Sequence, residues 1–254
     1  MTGVSGVLFD VDDTLVDTAT AFGAGLADAF GTVTELAPEQ HADVVQIWRA
    51  DAGGHFRRYV AGEVDLLTQR RARVLEITTH LRLPELDDEA FATFETAYQA
   101  AFAASWALFE DAHACVAAAV DAGLAVGVVT NAPGEQQRAK IAAVGLADLL
   151  PTLVAVDTLG VGKPDARVFR EGCRLIGTSP EATLYVGDEL EVDARGAVGA
   201  GLKGVWLDRP GRRRGGPHAV TDADIDAAQA DGVEVIASLA ELPALWQGRA
   251  PASE

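Results

Sequence analysis

Short apolar runs recur along this chain, and segments with helical spacing of apolar residues separate them. The runs cover residues 4–9, 124–129, 153–156, 183–186 and 204–207, and a shorter one lies at 233–236. Continuous apolar runs of this length are typical of strands that are buried on both faces of a parallel sheet. The alternation of strand and helix therefore predicts an α/β fold with a doubly wound, Rossmann-like parallel sheet.

Residues 18–107 break this rhythm. The interval has no convincing strand, but its apolar residues recur at helical spacing, as at Phe91, Phe94, Tyr98 and Phe102. Proline and glycine residues divide it into four or five helices, at Pro38, Gly53, Gly54, Gly62 and Pro84. We therefore predict two domains: an α/β core of residues 1–17 and 108–254, and an inserted all-helical domain of residues 18–107.

Polar residues follow the ends of the predicted strands. The first strand ends in Asp10 and Asp12, the second in Thr130 and Asn131, and the fourth in Asp188 with Asp193 further on, while Lys163 lies in the connection after the third strand. Ligands bind at the carboxyl ends of the strands in an open parallel sheet. Side chains also alternate along an extended chain, so Asp10 and Asp12 are expected on the same side.

Up to four carboxylates are thus expected at one edge of the sheet. Like charges about 4 Å apart repel by roughly 4 kcal/mol at an effective dielectric constant of 20. A divalent cation and the Lys163 ammonium would offset this repulsion. The ligands are oxygens, with no His or Cys nearby in sequence, and such a set suits Mg²⁺.

Several other classes of protein are disfavoured. The chain has 38 acidic and 20 basic residues, a net charge of −18, which repels nucleic acids and anionic membranes. We find no G-x-G-x-x-G in the first turn, no P-loop, no HExxH and no GxSxG. No signal peptide or membrane span is evident, so we expect a cytoplasmic protein. The two cysteines are far apart, so we expect no zinc site. The expected state is a monomer or a homodimer.

The ordered set Asp10-Val11-Asp12-Asp13-Thr14-Leu15, Thr130, Lys163 and Gly187-Asp188 through Asp193 resembles the four motifs of the haloacid dehalogenase-like (HAD) hydrolases. The resemblance covers the predicted core from end to end. Two positions depart from it: Asp13 stands where Gly or Asn is frequent, and Glu189 follows Asp188 where Ser or Asn is frequent. The resemblance implies that the helical insert is a mobile cap domain.

The resemblance also implies roles in catalysis. Asp10 would be the nucleophile that forms an aspartyl-phosphate. Asp12 would donate a proton to the leaving alcohol and later take one from water. Thr130, with the backbone of Asn131, would hold phosphoryl oxygens, and Lys163 would neutralise charge on Asp10 and on the phosphoryl group.

The implied metal site would consist of Asp10, the backbone carbonyl of Asp12, and Asp188, with Asp193 binding through water or bracing the site. Arg57 and Arg70 of the insert are candidates for contacting the rest of the substrate, although an ordinary solvated or helix-pairing role is the alternative for both.

Asp12 discriminates between the reactions that such a fold hosts. A departing halide needs no acid, so an aspartate at this position favours phosphoryl transfer over dehalogenation. The sequence therefore predicts a Mg²⁺-dependent phosphatase for small phosphate monoesters, such as a nucleoside monophosphate, a sugar phosphate or a phosphorylated acid. A sugar phosphomutase, another HAD-type hydrolase and a non-catalytic binding protein on the same fold are the alternatives.

Overall fold

The computed structural model describes residues 3–213 and 215–247. The described chain divides into two compact units. The core unit consists of the residues up to Val16, Leu108–Arg213 and the residues from Val220 onward. The helical unit consists of Asp17–Ala107 and a short segment that ends at Ala219. None of the described helices is long and apolar enough to cross a membrane.

The helical unit contains five α-helices, whose boundaries follow the proline and glycine breaks in the sequence. They are Thr18–Val33 (α1), Gln40–Ala50 (α2), His55–Val60 (α3), Leu66–Leu81 (α4) and Asp88–Ala104 (α5), and a single 3₁₀ turn covers Gly216–His218. Aspartate side chains accept hydrogen bonds from backbone N–H groups in the first turns of α1, α4 and α5, which favours these starting points.

Aromatic side chains form the interior of the helical unit. The rings of Tyr98 and Phe102 on α5 stack with their centroids 5.5 Å apart, and Phe30 of α1 meets Phe94 edge to face at 4.9 Å. All four of these side chains are buried. Burial of such large rings is the main favourable contribution to packing between α1 and α5.

The core unit is built on one six-stranded parallel sheet with the strand order β3-β2-β1-β4-β5-β6. Its strands are Gly6–Phe9 (β1), Ala125–Val129 (β2), Leu153–Val154 (β3), Thr183–Gly187 (β4), Lys203–Leu207 (β5) and Glu234–Ile236 (β6). The predicted α/β fold class is confirmed. β1 lies in the centre, where Phe9 pairs with Val128 of β2 and Val186 of β4.

Within the described residues of the core unit, seven α-helices accompany this sheet. They are Ala112–Asp121 (α6), Gly134–Ala143 (α7), Val156–Leu159 (α8), Ala166–Ile176 (α9), Gly196–Ala200 (α10), Asp222–Ala230 (α11) and Pro243–Trp246 (α12). 3₁₀ turns cover Pro180–Ala182 and Leu239–Glu241, and a π-helical turn covers Leu190–Arg195.

The third strand is shorter than the sequence predicts. It ends at Val154, and Val156 already begins α8. The hydroxyl of Thr158 accepts a hydrogen bond of 2.9 Å from the backbone N–H of Ala155, which stabilises the helical turn at this point. The apolar run alone does not reveal this cap.

Candidate active site

Asp10 is the first residue after β1, at the carboxyl end of the central strand. Its backbone N–H donates a hydrogen bond of 2.9 Å to the carbonyl of Val186, which extends the pairing of β1 with β4 to this residue. The side chain is buried, with 5% of the residue exposed. The sheet therefore fixes both the position and the surroundings of this carboxylate.

The chain turns sharply three residues later. Asp13 has a φ of 57°, a left-handed conformation that glycine, asparagine and aspartate adopt most readily. Its backbone N–H bonds to the carbonyl of Val16 at 2.8 Å and closes the turn. Aspartate at this position is therefore compatible with the left-handed turn.

Lys163 joins three polar side chains in the interior of the core unit. Its ammonium donates hydrogen bonds of 2.7 Å to Asp10, 2.7 Å to Asp193 and 2.8 Å to the hydroxyl of Tyr185. Burial by itself would lower the pKa of Lys163, but the two carboxylates outweigh it and raise this pKa above its usual value. Lys163 is thus held as a cation.

The same environment acts differently on Asp10. Burial raises the pKa of the Asp10 carboxyl to about 7; Lys163 opposes this shift, while Asp193 and Asp12 add to it. One ammonium serves two buried carboxylates, so it does not fully offset the cost of burying both charges. An additional cation near these carboxylates would favour the ionised form of Asp10.

Three carboxylates converge on one place. Ligand atoms of Asp10, Asp188 and Asp193 all lie within 4.8 Å of one another. The donor set consists of oxygens only, which is the set that Mg²⁺ prefers, and three acidic groups beside a single ammonium leave negative charge to be balanced. The residues present therefore fit a hard divalent cation.

Asp193 reaches this cluster because Gly187 has no side chain. A Cβ atom at Gly187 would lie 2.3 Å from a carboxylate oxygen of Asp193, which is closer than real atoms approach. The π-helical turn after β4 carries Asp193, and its second oxygen accepts a hydrogen bond of 3.0 Å from the backbone N–H of Glu189. Both oxygens of Asp193 are thus engaged by the core unit.

The carboxylate of Asp12 contacts α7 and is not one of the three that converge. It forms an ion pair with Lys140 and a hydrogen bond with the side-chain amide of Gln137, both on α7. The amide nitrogen of Gln137 also donates to the hydroxyl of Thr130 at 3.1 Å. The expected acid-base residue and the expected phosphoryl-binding residue are therefore linked by one side chain that the motifs did not predict.

Asn131 ties two segments of the site together. Its side chain accepts a hydrogen bond of 2.6 Å from the backbone N–H of Lys163 and donates one of 3.0 Å to the Lys163 carbonyl. The connection that carries Lys163 is thereby fixed against the end of β2. The hydroxyl of Tyr185 donates to the carbonyl of Val129 at 2.9 Å and supports the same region, although none of the predicted motifs includes this residue.

The two arginines expected to contact substrate lie in the helical unit. Arg70 is 4% exposed, forms an ion pair with Glu95, and places its guanidinium 5.0 Å from the centre of the Tyr98 ring. Its charge is thus already engaged within its own unit, which favours the helix-pairing role over the predicted contact with substrate. Arg57 is exposed on α3 and remains a candidate.

A search against protein families agrees with this geometry. The family model described as haloacid dehalogenase-like hydrolase matches residues 4–201. The chain therefore belongs to the haloacid dehalogenase-like hydrolases, and the resemblance inferred from the motifs is confirmed.

Curated relatives with printed activities include phosphatases. A phosphoserine phosphatase from Thermus thermophilus is 39% identical over 115 residues, which is 45% of this chain and 46% of that protein. A glyceraldehyde 3-phosphate phosphatase from Methanopyrus kandleri is 28% identical over 213 residues, covering 81% of this chain and 84% of the relative. The first match thus spans less than half of its relative, while the second spans most of it. Together with the family, these relatives support a phosphoric monoester hydrolase.

Solved structures with the same fold include both hydrolases of unassigned substrate and dehalogenases. The HAD-hydrolase YfnB from Bacillus subtilis, in a form bound to magnesium, has a TM-score of 0.75 at 22% identity and covers 97% of this chain and 100% of its own. L-2-haloacid dehalogenase from Xanthobacter autotrophicus has a TM-score of 0.70 at 20% identity, with the same coverage. At these identities the likeness shows the fold alone, so the reaction has to be argued from the site.

Proposed function

We propose that this protein is a Mg²⁺-dependent phosphatase that hydrolyses small phosphate monoesters through an aspartyl-phosphate intermediate. The observation that carries the proposal is the buried arrangement in which Lys163 bonds Asp10 and Asp193 while Asp10, Asp188 and Asp193 converge. Phosphoryl transfer depends mainly on positioning and on balancing negative charge, and this arrangement supplies both.

Asp10 is proposed as the nucleophile. One of its carboxylate oxygens attacks phosphorus, a new oxygen–phosphorus bond forms, and the bond to the leaving alcohol breaks. Asp12 donates a proton to the departing oxygen. Water then attacks the aspartyl-phosphate, Asp12 takes a proton from that water, and inorganic phosphate leaves with Asp10 restored. The 25% exposure of the Asp12 side chain is consistent with access to a reacting group.

The cation site is proposed to consist of Asp10 and Asp188, with the backbone carbonyl of Asp12, and with Asp193 bracing the site or binding through water. When bound, Mg²⁺ supplies positive charge next to the phosphoryl oxygens and to the ionised form of Asp10. The hydrogen bonds that Asp193 accepts from Lys163 and from Glu189 favour the bracing role for this residue.

The remaining phosphoryl contacts are proposed to come from Thr130, from the backbone N–H of Asn131 and from Lys163. Thr130 and Lys163 are 2% and 3% exposed, so water competes little for these donors. A fixed donor in a water-poor site stabilises developing charge more than the same donor in bulk water.

The substrate is proposed to be a small phosphorylated metabolite, such as a nucleoside monophosphate, a sugar phosphate or a phosphorylated acid. The phosphoserine and glyceraldehyde 3-phosphate phosphatases among the relatives support this size and class. We further propose that the helical unit is the cap domain of the family and selects the substrate, with Arg57 as a candidate contact.

Hydrolysis of p-nitrophenyl phosphate by the purified protein, with Mg²⁺ and with EDTA, tests the proposal. We expect release of p-nitrophenol that depends on Mg²⁺ and disappears in Asp10→Asn. Asp148→Asn, a change of the same kind at an exposed position of the core unit, is the matched control and should retain activity.

Two results would overturn the proposal. Absence of turnover with a panel of phosphate monoesters would favour a non-catalytic binding protein, and halide release from a haloacid without phosphatase activity would favour a dehalogenase. Full activity of Asp10→Asn would refute the assignment of the nucleophile.

A further inference from the structure

Two polar side chains of α7 are buried completely although they belong to none of the predicted motifs. Gln137 is 0% exposed and Lys140 is 1% exposed. They stand three residues apart, so they project from the same face of the helix. Both reach Asp12: Lys140 contacts Oδ1 and Gln137 contacts Oδ2.

Burial of these two polar groups costs free energy of folding. A buried ammonium is unfavourable without a charged partner, and an apolar side chain of similar size would fill the same space without that cost. The partner of Lys140 is the residue proposed to transfer the proton, and the amide of Gln137 also bonds the hydroxyl of Thr130 at 3.1 Å. The two α7 side chains therefore hold the side chains of Asp12 and Thr130, which are proposed to contact substrate.

We propose that Lys140 and Gln137 are positioning residues that fix the direction of the Asp12 carboxylate for proton transfer. Each takes one carboxylate oxygen, so rotation of the group about its last bond is restrained from both sides. This inference rests on the proposed phosphatase function. Proton transfer requires the acid within hydrogen-bond reach of the leaving oxygen, and a small misplacement of a catalytic group is enough to slow a reaction strongly.

Leaving-group dependence separates this role from a general structural one. Phenyl phosphate needs a proton on its leaving oxygen, whereas dinitrophenyl phosphate releases a stable anion that needs none. In Lys140→Met, kcat/KM should fall about 10- to 100-fold for phenyl phosphate and less than about threefold for dinitrophenyl phosphate. The ratio kcat/KM is the right quantity because it includes leaving-group departure and excludes hydrolysis of the intermediate.

Gln137→Met provides an independent variant that removes the other contact without changing net charge. Because Gln137 also bonds Thr130, both substrates should react more slowly, but the loss should be larger for phenyl phosphate, and this difference carries the test if Lys140→Met does not fold. Lys203→Met, at the start of β5, is the matched control for loss of a lysine in the core unit and should leave both substrates unaffected.

A double substitution completes the test. If Lys140 acts through Asp12, adding Lys140→Met to Asp12→Asn should cause no further loss with phenyl phosphate, because the group that it positions no longer transfers a proton. Circular dichroism and thermal unfolding of every variant establish that the compared proteins are folded.

Each outcome decides the inference. A loss that is larger for phenyl phosphate than for dinitrophenyl phosphate, and that Lys140→Met does not add in the Asp12→Asn background, supports it. An equal loss with both substrates, or no loss in either α7 variant, overturns the inference and leaves the phosphatase proposal standing. Failure of the unaltered protein to hydrolyse either ester overturns both.

Discussion

Replacing Asp10 with asparagine should change how the stability of the metal-free protein depends on pH. Compared with the unaltered protein, Asp10→Asn should have a higher free energy of unfolding at alkaline pH than it has at acidic pH. Burial raises the pKa of Asp10 from the ordinary 3.8 to about 7, so the folded state binds this proton more tightly than the unfolded state does. The resulting stabilisation is complete below the unfolded pKa and is lost as the pH rises through the folded pKa. Asparagine does not titrate and therefore removes this loss.

The size of the effect follows from the two pKa values. A shift of about 3 units corresponds to about 4 kcal/mol between strongly acidic and alkaline solution. Between pH 5 and pH 8 the linkage relation gives a loss of about 2 to 3 kcal/mol for the unaltered protein. Titrating groups that do not interact with Asp10 contribute equally to both proteins, so they cancel in the difference between Asp10→Asn and the unaltered chain.

Urea unfolding in EDTA at pH 5 and pH 8 measures this difference. We expect the free energy of unfolding of Asp10→Asn, relative to the unaltered protein, to increase by about 2 to 3 kcal/mol from the lower to the higher pH. Asp148→Asn, at an exposed position, should show no such change. A difference that is the same at both pH values would refute the burial argument for Asp10.

Adding Mg²⁺ extends the same experiment. A ligand that binds only the folded state stabilises it according to its concentration and affinity. The unaltered protein should gain more stability from Mg²⁺ at pH 8 than Asp10→Asn does, because the substitution would remove one of the proposed anionic ligands. Equal stabilisation of both proteins would argue against Asp10 as a ligand.

Three further substitutions test the site. Lys163→Met should lower the free energy of unfolding by about 3 to 5 kcal/mol, because Asp10 and Asp193 lose their shared ammonium; a change below about 1 kcal/mol in urea would contradict this. Asp12→Ala should reduce kcat by about 10² to 10⁴ with little effect on substrate binding, and steady-state kinetics that show an unchanged kcat would exclude its acid-base role. Asp193→Asn should raise the Mg²⁺ concentration needed for half-maximal activity by about 10- to 100-fold, and an unaltered Mg²⁺ titration would count against a bracing role.

Much of the core fold can be predicted from the sequence because parallel strands buried on both faces have a strong local signal. The apolar runs before Asp10 and before Asp188 lie where the structure places β1 and β4. β3 is the exception, because the turn into α8 depends on a hydrogen bond between Ala155 and Thr158 rather than on hydrophobicity.

The polar residues at the strand ends can also be predicted from the sequence. The residues that contact them from other elements are harder to predict. Gln137 and Lys140 are separated from Asp12 by more than a hundred residues, and only the packing of α7 brings them together. A weak signal does exist. Ile141 is buried on α7 four residues after Gln137, so these polar residues share a face with an apolar one.

Tyr185 could not have been assigned to the site from sequence, because a tyrosine in an apolar strand is usually an ordinary core residue. Its importance depends on the position of its hydroxyl between Lys163 and Val129. The direction of the Arg70 side chain was also hidden, since it depends on how α4 packs against α5, where Arg70 pairs with Glu95.

The strand order has a consequence for how this protein is made. β1 emerges first from the ribosome, but both of its partners, β2 and β4, lie beyond residue 120. Most of the helical unit is a single continuous stretch, Asp17–Ala107, so its aromatic core can pack while the rest of the chain is still being synthesised. We therefore expect the helices to become protected from proteolysis in shorter nascent chains, and the first strand only after β4 has been translated.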